Sequence, residues 1–289
     1  MANQLNDQRL SKHQTRSYML TLGAVAALLI TSPSGCFLPA PTPAPPPTPV
    51  ETWTRPADGM VMVYVPAGEF IMGSPDGEGY DQEHPQHRVY LDAYWIDRTE
   101  VSNAQYRQCV DAGTCEVAPG WMRDDMNDDE QPVAGVTWYD AHIYCEWADA
   151  RLPTEAEWEK AARATDGRSY PWGNSEPDCT KANYWDKENG CLGIAAAVGS
   201  YPAGASPYGA LNMAGNMWEW VADWYDKYYY GNSPARNPQG PDSGEERVLR
   251  GASFMPPSYM VRCAYRNKYN PTYMYGAVGF RCARSSDNQ

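Results

Sequence analysis

The sequence predicts an α+β domain of low regular content, and three observations carry that expectation. Short runs of alternating apolar residues at both ends of the segment 59–285 have the period of strands. Between them lie three short segments with helical spacing. The stretch from Tyr170 to Gly244 is mostly Gly, Pro, Asn and aromatic residues, with no period and no internal repeat. Composition agrees, since the 289 residues include 11 Trp and 21 Tyr against 4 Phe, beside 24 Gly and 25 Pro. Rings with a polar tip suit a core that must satisfy much irregular backbone.

Arg9, Lys12 and Arg16 precede the apolar run Tyr18 to Ile30, which is too short to span a bilayer and has the layout of a secretory signal. Ser34-Gly35-Cys36 reads as the end of a bacterial lipobox, with Cys36 acylated as the mature N-terminus. Pro33 stands where an aliphatic residue is usual, so plain cleavage with Cys36 left free is the competing reading. The tract PAPTPAPPPTP, Pro39 to Pro49, forces polyproline II and gives a spacer of about 30 Å. Residues 1–36 are assigned to the signal peptide with its lipobox and 37–58 to a proline-rich linker. The domain takes 59–285, and 286–289 form a tail. The chain is expected outside the cytoplasm, as an outer-membrane or cell-envelope lipoprotein whose membrane contact is the N-terminal anchor only.

Within the domain, Met60 to Val65 alternates and breaks at Pro66-Ala67-Gly68 before Glu69 to Gly73, which predicts a hairpin. His87 to Ile96 alternates again and predicts one strand. Ser102 is an N-cap for a helix carrying Tyr106 and Val110 on one face. Trp138 to Ala150 places Trp138, His142, Cys145 and Asp149 at helical spacing. Thr154-Glu155-Ala156-Glu157 is a capping box that opens a helix through Arg163. The last strands are expected at Val248–Phe254, Met260–Tyr265 and Val278–Arg284. A net charge of −13 without a basic cluster argues against a nucleic-acid partner. His84 and His87 beside Glu83 have a metal-like spacing, but a structural role is the better reading, and His142 is expected to be packed on its helix.

Several ordered strings identify a family: "VPAGEFIMGS", "HRVYLDAYWIDRTEVSNAQY", "RLPTEAEWEKAAR" (Arg151 to Arg163), "YPWGN", "MAGNMWEWVADWY" (Met213 to Tyr225), "RVLRGASF" and "GFRCAR". From Met60 to Arg284 the chain resembles the formylglycine-generating enzymes, also called sulfatase-modifying factors. The resemblance implies an atypical C-type-lectin-like fold. Family enzymes oxidise a sulfatase cysteine with molecular oxygen, using two cysteines that bind copper(I), a soft ion that wants thiolates. Here Pro256 and Ser258 fall at those two positions. Met255 and Met260 are neutral, weaker donors. Copper and the oxidase mechanism are therefore not expected.

The resemblance also implies structural calcium, held at Asn216, Met217 and Glu219, with a second ion near Asn183 and Tyr184. Of the eight cysteines, Cys145 and Cys282 match a disulfide-linked pair of the family. Cys109 with Cys115, and Cys179 with Cys191, are the natural local pairs. Cys263 is left alone, because Ala162 stands where its family partner would be. Two functions follow from different classes. One is a non-oxidase binding or scaffolding module, whose ligand (a protein, peptide or glycan of the envelope) meets the loops from Met255 to Tyr275, rich in Tyr259, Tyr265, Tyr269, Tyr273 and Tyr275. The other is a formylglycine-generating or other oxidoreductase enzyme working through different residues, with Ser253 and Cys263 as candidates; Ser253 matches a residue lining the family's substrate pocket.

Overall fold

The computed structural model of the protein describes residues 50–118, 126–185 and 191–286. The signal segment, Cys36 and Pro39 to Pro49 lie outside the described residues, as do 287–289 of the expected tail. Among the described residues no helix is long and apolar enough to cross a membrane.

One antiparallel sheet orders β1 (Thr52–Thr54), β2 (Val61–Val65), β5 (Tyr94–Asp97) and β10 (Ala283–Ser285). Strands β3 (Gly68–Met72) and β4 (His87–Leu91) pair with each other. A second four-stranded sheet orders β8 (Asn267–Tyr269), β7 (Arg247–Arg250), β6 (Trp218–Trp224) and β9 (Val278–Phe280), with β9 parallel to β6. Three helices, α1 (Asn103–Asp111), α2 (Trp138–Trp147) and α3 (Glu155–Arg163), each open on a complete capping box, from Ser102, Thr137 and Thr154 respectively. Helix α2 stops short of Ala150 because Asp149 turns left-handed at φ 55°.

Several expected strands are divided, each for a local reason. Val61–Val65 and Gly68–Met72 do not form a hairpin; β3 leaves the sheet of β2 at a corner whose Pro66 and Gly68 carbonyls are both held by the Lys160 ammonium, at 2.7 and 3.0 Å. The run His87 to Ile96 becomes β4 and β5 in different sheets. Its break is at Asp92, whose backbone N–H donates to Asn237 Oδ1 and whose carboxylate accepts from Asn237 Nδ2. β7 ends at Arg250, since Gly251 and Ala252 take positive φ of 88° and 64°. Met260 to Tyr265 is not a strand. It begins in the short 3-10 turn Ser258–Met260, and the buried Arg250 guanidinium takes the Cys263 and Ala264 carbonyls that a neighbouring strand would need. Val278 to Arg284 divides between the two large sheets around buried Arg281.

The domain also begins earlier than expected. β1 and the residues after it lie inside the stretch read as linker, yet Arg55 and Asp58 are buried. Arg55 forks between Asp58 and Asp97, and Asp58 also accepts from the Tyr144 hydroxyl of α2 at 2.6 Å. Every residue of α3 is buried, charged ones included. Glu155 pairs with Arg250 and Arg266, Glu157 with Arg151, and Glu159 with Arg163 and Arg250, so that each carboxylate of α3 meets a cation. Three disulfides join Cys109 to Cys115, Cys145 to Cys282 and Cys179 to Cys191, as the sequence comparison implied.

Candidate ligand-binding face

The loop after β7 decides what chemistry the domain can host. Its left-handed Gly251 and Ala252 turn the chain so that Ser253 is fully buried, its hydroxyl accepting the Met255 N–H at 3.3 Å. Pro256 and Ser258 follow, the residues that the family resemblance set at the copper-thiolate positions. The free thiol Cys263 is fully buried, with its backbone N–H donating to the Ser169 carbonyl. Burial pushes its thiol up to about 12, which leaves almost no thiolate at neutral pH. The two candidate catalytic residues, Ser253 and Cys263, are therefore both sealed in the core, and neither reaches the surface as a nucleophile. Ala162, expected opposite Cys263, packs in the same apolar cluster.

The expected calcium positions behave differently from one another. Asn183 is fully engaged: its Nδ2 donates to the Ile194 carbonyl and to Asn216 Oδ1, and its Oδ1 accepts the Leu192 N–H. Asn216 Oδ1 also accepts the Ala196 N–H, while its Nδ2 donates to Glu100 Oε1 and the Ala196 carbonyl. These two amides clip the 192–196 loop to the β6 turn; Asn216 Oδ1 accepts two N–H groups, while Asn183 Oδ1 accepts that of Leu192. Met217 and Tyr184 are buried beside them. Glu219 Oε2 accepts from Trp158 Nε1 and Arg281 Nε, while Oε1 accepts from Arg281 Nη2 alone. A carboxylate oxygen has room for a second bond, so Oε1 is still open.

A residue missed in the sequence lies close by. Asn212 is buried at φ 57° with both ends of its amide unpartnered, a costly state for a polar group without an unseen ligand or water. Its neighbour Leu211 shares Arg281 Nη2 with Glu219 Oε1, through a carbonyl at 2.9 Å. An amide oxygen and a carboxylate oxygen are donors of the hard kind that calcium takes. Glu100, in the same corner, is pushed up to about 7 by burial, with Arg281 opposing and Glu219 adding to the shift; its Oε2 also lacks a partner. Among the described residues no three His, Cys, Asp or Glu side chains come together as a metal-binding group.

Among the described residues the histidines join no metal-binding group. His84 and His87 bind the Glu78 and Pro85 carbonyls, and Glu83 is held by Arg262. His142 is half-exposed rather than packed away, stacked on Trp138 and 3.3 Å from Glu146.

What the loops do present is rings. Tyr259 and Tyr273 are about half exposed, at 49% and 48%, and Trp185 stands 43% exposed. Tyr269, Tyr273 and Tyr275 stack with centroids 5.1 and 6.2 Å apart along the series, and the Tyr275 hydroxyl reaches the Met255 sulfur. The Trp185 backbone N–H donates to the Pro256 carbonyl, which joins the backbone there to the loop after β7. Tyr265 carries Tyr80 edge-on and Arg262 at its face. The charged groups close to these rings are already matched, Arg262 by Glu83, Lys268 by Glu246 and Lys181 by Asp178. The face is therefore aromatic and close to neutral, suited to burying a ligand by stacking and apolar area.

Comparison with known proteins places this arrangement. A family model described as "Sulfatase-modifying factor enzyme 1-like domain" matches residues 48–286. The chain is 36% identical over 81% of its length to a formylglycine-generating enzyme of Streptomyces coelicolor, covering 92% of that protein. It is 35% identical over 77% of its length to the serine/threonine-protein kinase pkn1 of Chlamydia caviae, of which it spans 38%. Among solved structures, PvdO from Pseudomonas aeruginosa superposes with a TM-score of 0.71 at 27% identity, over 82% of this chain and 99% of that one. The fold is thus the lectin-like one that the motifs implied.

Proposed function

The chain belongs to the sulfatase-modifying factor enzyme 1-like family, and from that premise we propose that it is a non-oxidase binding or scaffolding module, exported and lipid-anchored at the cell envelope. What supports this reading is the buried, protonated state of the free thiol Cys263, together with Pro256 and Ser258, which the family resemblance sets at the thiolate positions. A copper(I) site needs soft anionic donors, and this surface supplies tyrosine rings instead. The ligand, a protein, peptide or glycan of the envelope, meets Trp185, Tyr259 and Tyr273. Cys36 and the proline tract support tethering, since a spacer serves a domain held near a surface. Calcium enters as a structural ion held by Asn212 and Glu219, which ties the β6 turn and takes part in no reaction.

Titration with copper(I) under reducing conditions, together with a CxPxR peptide, tests the chemistry. The expected result is neither copper binding nor aldehyde; turnover of the peptide would overturn the reading. That result would favour the second reading, an oxidase or other enzyme using different residues, to which the 36% identity with a formylglycine-generating enzyme lends weight. A binding panel of envelope glycans, peptides and proteins, run on the wild type beside Tyr259→Ala and Tyr273→Ala, locates the ligand face. Both residues are exposed, so the variants are expected to fold normally and to lose binding.

A further inference from the structure

A cavity of about 310 Å³ lies where three stretches of chain meet, 74–78, 163–174 and 262–264. One wall is fixed from behind. Gly79 has φ 74°, and a Cβ there would lie 2.3 Å from Glu83 Oε2 and 2.7 Å from Ser74 Oγ, so glycine lets the loop press onto the buried Ser74–Glu83 pair. Arg262 closes on the same pair, its two Nη atoms 2.7 and 2.9 Å from the Glu83 carboxylate. Buried Arg163 also lines the cavity, bonded to Glu159 Oε1 and to the Gly73 and Gly167 carbonyls. The hydrogen-bonding capacity left open here is mostly that of donors. Nη2 of Arg163 carries two N–H bonds and meets one acceptor, the Gly167 carbonyl, and Nη2 of Arg262 meets one, Glu83 Oε1. Asn174 uses its Oδ1 on the Ser169 N–H, which leaves its Nδ2 to donate. Among the described residues the half-buried Ser169 hydroxyl has no partner.

Charge points the same way. Glu155 and Glu159 set two carboxylates against the guanidiniums of Arg163, Arg250 and Arg266. Asp223, which also neighbours Glu155, is pushed up to about 8 by burial and by the Glu155 charge. It is therefore mostly protonated at neutral pH and leaves the excess cation in place. Arg262 is balanced by Glu83, and Glu78, the one acid lining the cavity, is exposed and solvated. We propose that this cavity is a binding site for a small oxyanion, the carboxylate or sulfate of a ligand fragment no larger than one sugar ring. Nη2 of Arg163 and of Arg262, the Ser169 hydroxyl and the Asn174 amide donate to its oxygens, and its charge offsets the surplus on the α3 network. The volume is at the lower end of ligand pockets, which sets the size of the fragment. The site does not depend on the function proposed above, since none of its groups is a ring of that face.

Titration calorimetry of the folded full chain with sodium acetate, sodium sulfate and D-glucose, at constant ionic strength in chloride, tests the site. At least one of the two anions is expected to saturate a single site, and D-glucose is expected not to bind. Saturation by acetate alone assigns a carboxylate, and by sulfate alone a sulfate. Ser169→Ala removes a hydroxyl that bonds nothing in the fold, so it should fold as the wild type does and bind the anion about tenfold more weakly. Glu78→Gln should bind it about twofold more tightly, because the rim carboxylate repels an anion and an amide does not. A purely structural role for these two residues predicts neither change. No saturable binding of either anion, equal binding of D-glucose, or affinities unchanged in both variants overturns the site. Tyr259→Ala and Tyr273→Ala are expected to leave the anion titration as it is, so failure of the oxyanion site and failure of the ligand face are told apart.

Discussion

Replacing Glu159 by Gln changes the volume of α3 hardly at all and removes one negative charge from its centre. Glu159 is fully buried; Oε1 accepts the Gly73 N–H and Arg163 Nη1, both at 2.8 Å, and Oε2 accepts Arg250 Nη2 at 2.6 Å. With Glu155 it balances Arg163, Arg250 and Arg266, two carboxylates against three guanidiniums; the variant leaves one against three. Removing one partner of a buried charge network costs about 3–5 kcal/mol, because the remaining cations lie where water cannot solvate them. A domain of this size shifts its Tm by about 2–4 °C per kcal/mol, so a loss of about 6–20 °C is expected. Thermal unfolding followed by circular dichroism measures it at neutral pH. The pH dependence adds a second readout. Burial pushes the Glu159 carboxyl up, but Arg250 and Arg163, with the Gly73 N–H, hold it below the usual value. A lowered carboxylate stabilises the fold above its unfolded-state value and loses that contribution as pH falls through its folded value. The wild type should therefore lose stability below about pH 4 by an amount the variant no longer shows. A Tm shift under about 3 °C, or an unchanged acid limb, would refute the claim that this network holds α3 in the core.

Three further outcomes follow from single positions. Ala162→Cys should close a disulfide with Cys263, so that thiol titration of the denatured, unreduced protein falls by one; a rise of one would mean that the two positions do not meet. Burial lowers the Lys160 ammonium to about 8, so the unfolded chain binds more protons there, and stability from this group rises between about pH 8 and 10.4. Lys160→Met should flatten that rise relative to the wild type in denaturant melts, and parallel curves would assign the rise to other groups. Excess calcium over chelator at about 100 times the dissociation constant should raise the Tm by roughly 5–10 °C, from about 2.7 kcal/mol of linkage. Asn212→Ala should abolish most of that gain, and a wild type indifferent to chelator would remove calcium from the proposal.

Helix positions were legible because their signals are local: Ser102 and Thr154 cap within one turn, and the box at Thr154 needs only the Glu three residues on. Strand partners were not. Alternation marks which residues of His87 to Ile96 face inward, but the break at Asp92 depends on Asn237, 145 residues away. The failed strand at Met260 to Tyr265 depends on Arg250 taking two carbonyls from the side. The candidate site divides the same way. The absence of cysteine at Pro256 and Ser258 is read from residue identity, whereas the unpartnered amide of Asn212 and the joined amides of Asn183 and Asn216 exist only once distant loops meet.

By itself the sequence determined the family, the lectin-like fold class and the two local cysteine pairs, because each is written in residue identity or short spacing. Tertiary structure alone decided that Ser253 and Cys263 are sealed, that β1 belongs to the domain, and that Tyr269, Tyr273 and Tyr275 stack together. Burial and proximity are properties of packed surfaces, and they arise from contacts between segments whose separation along the chain carries no trace of them.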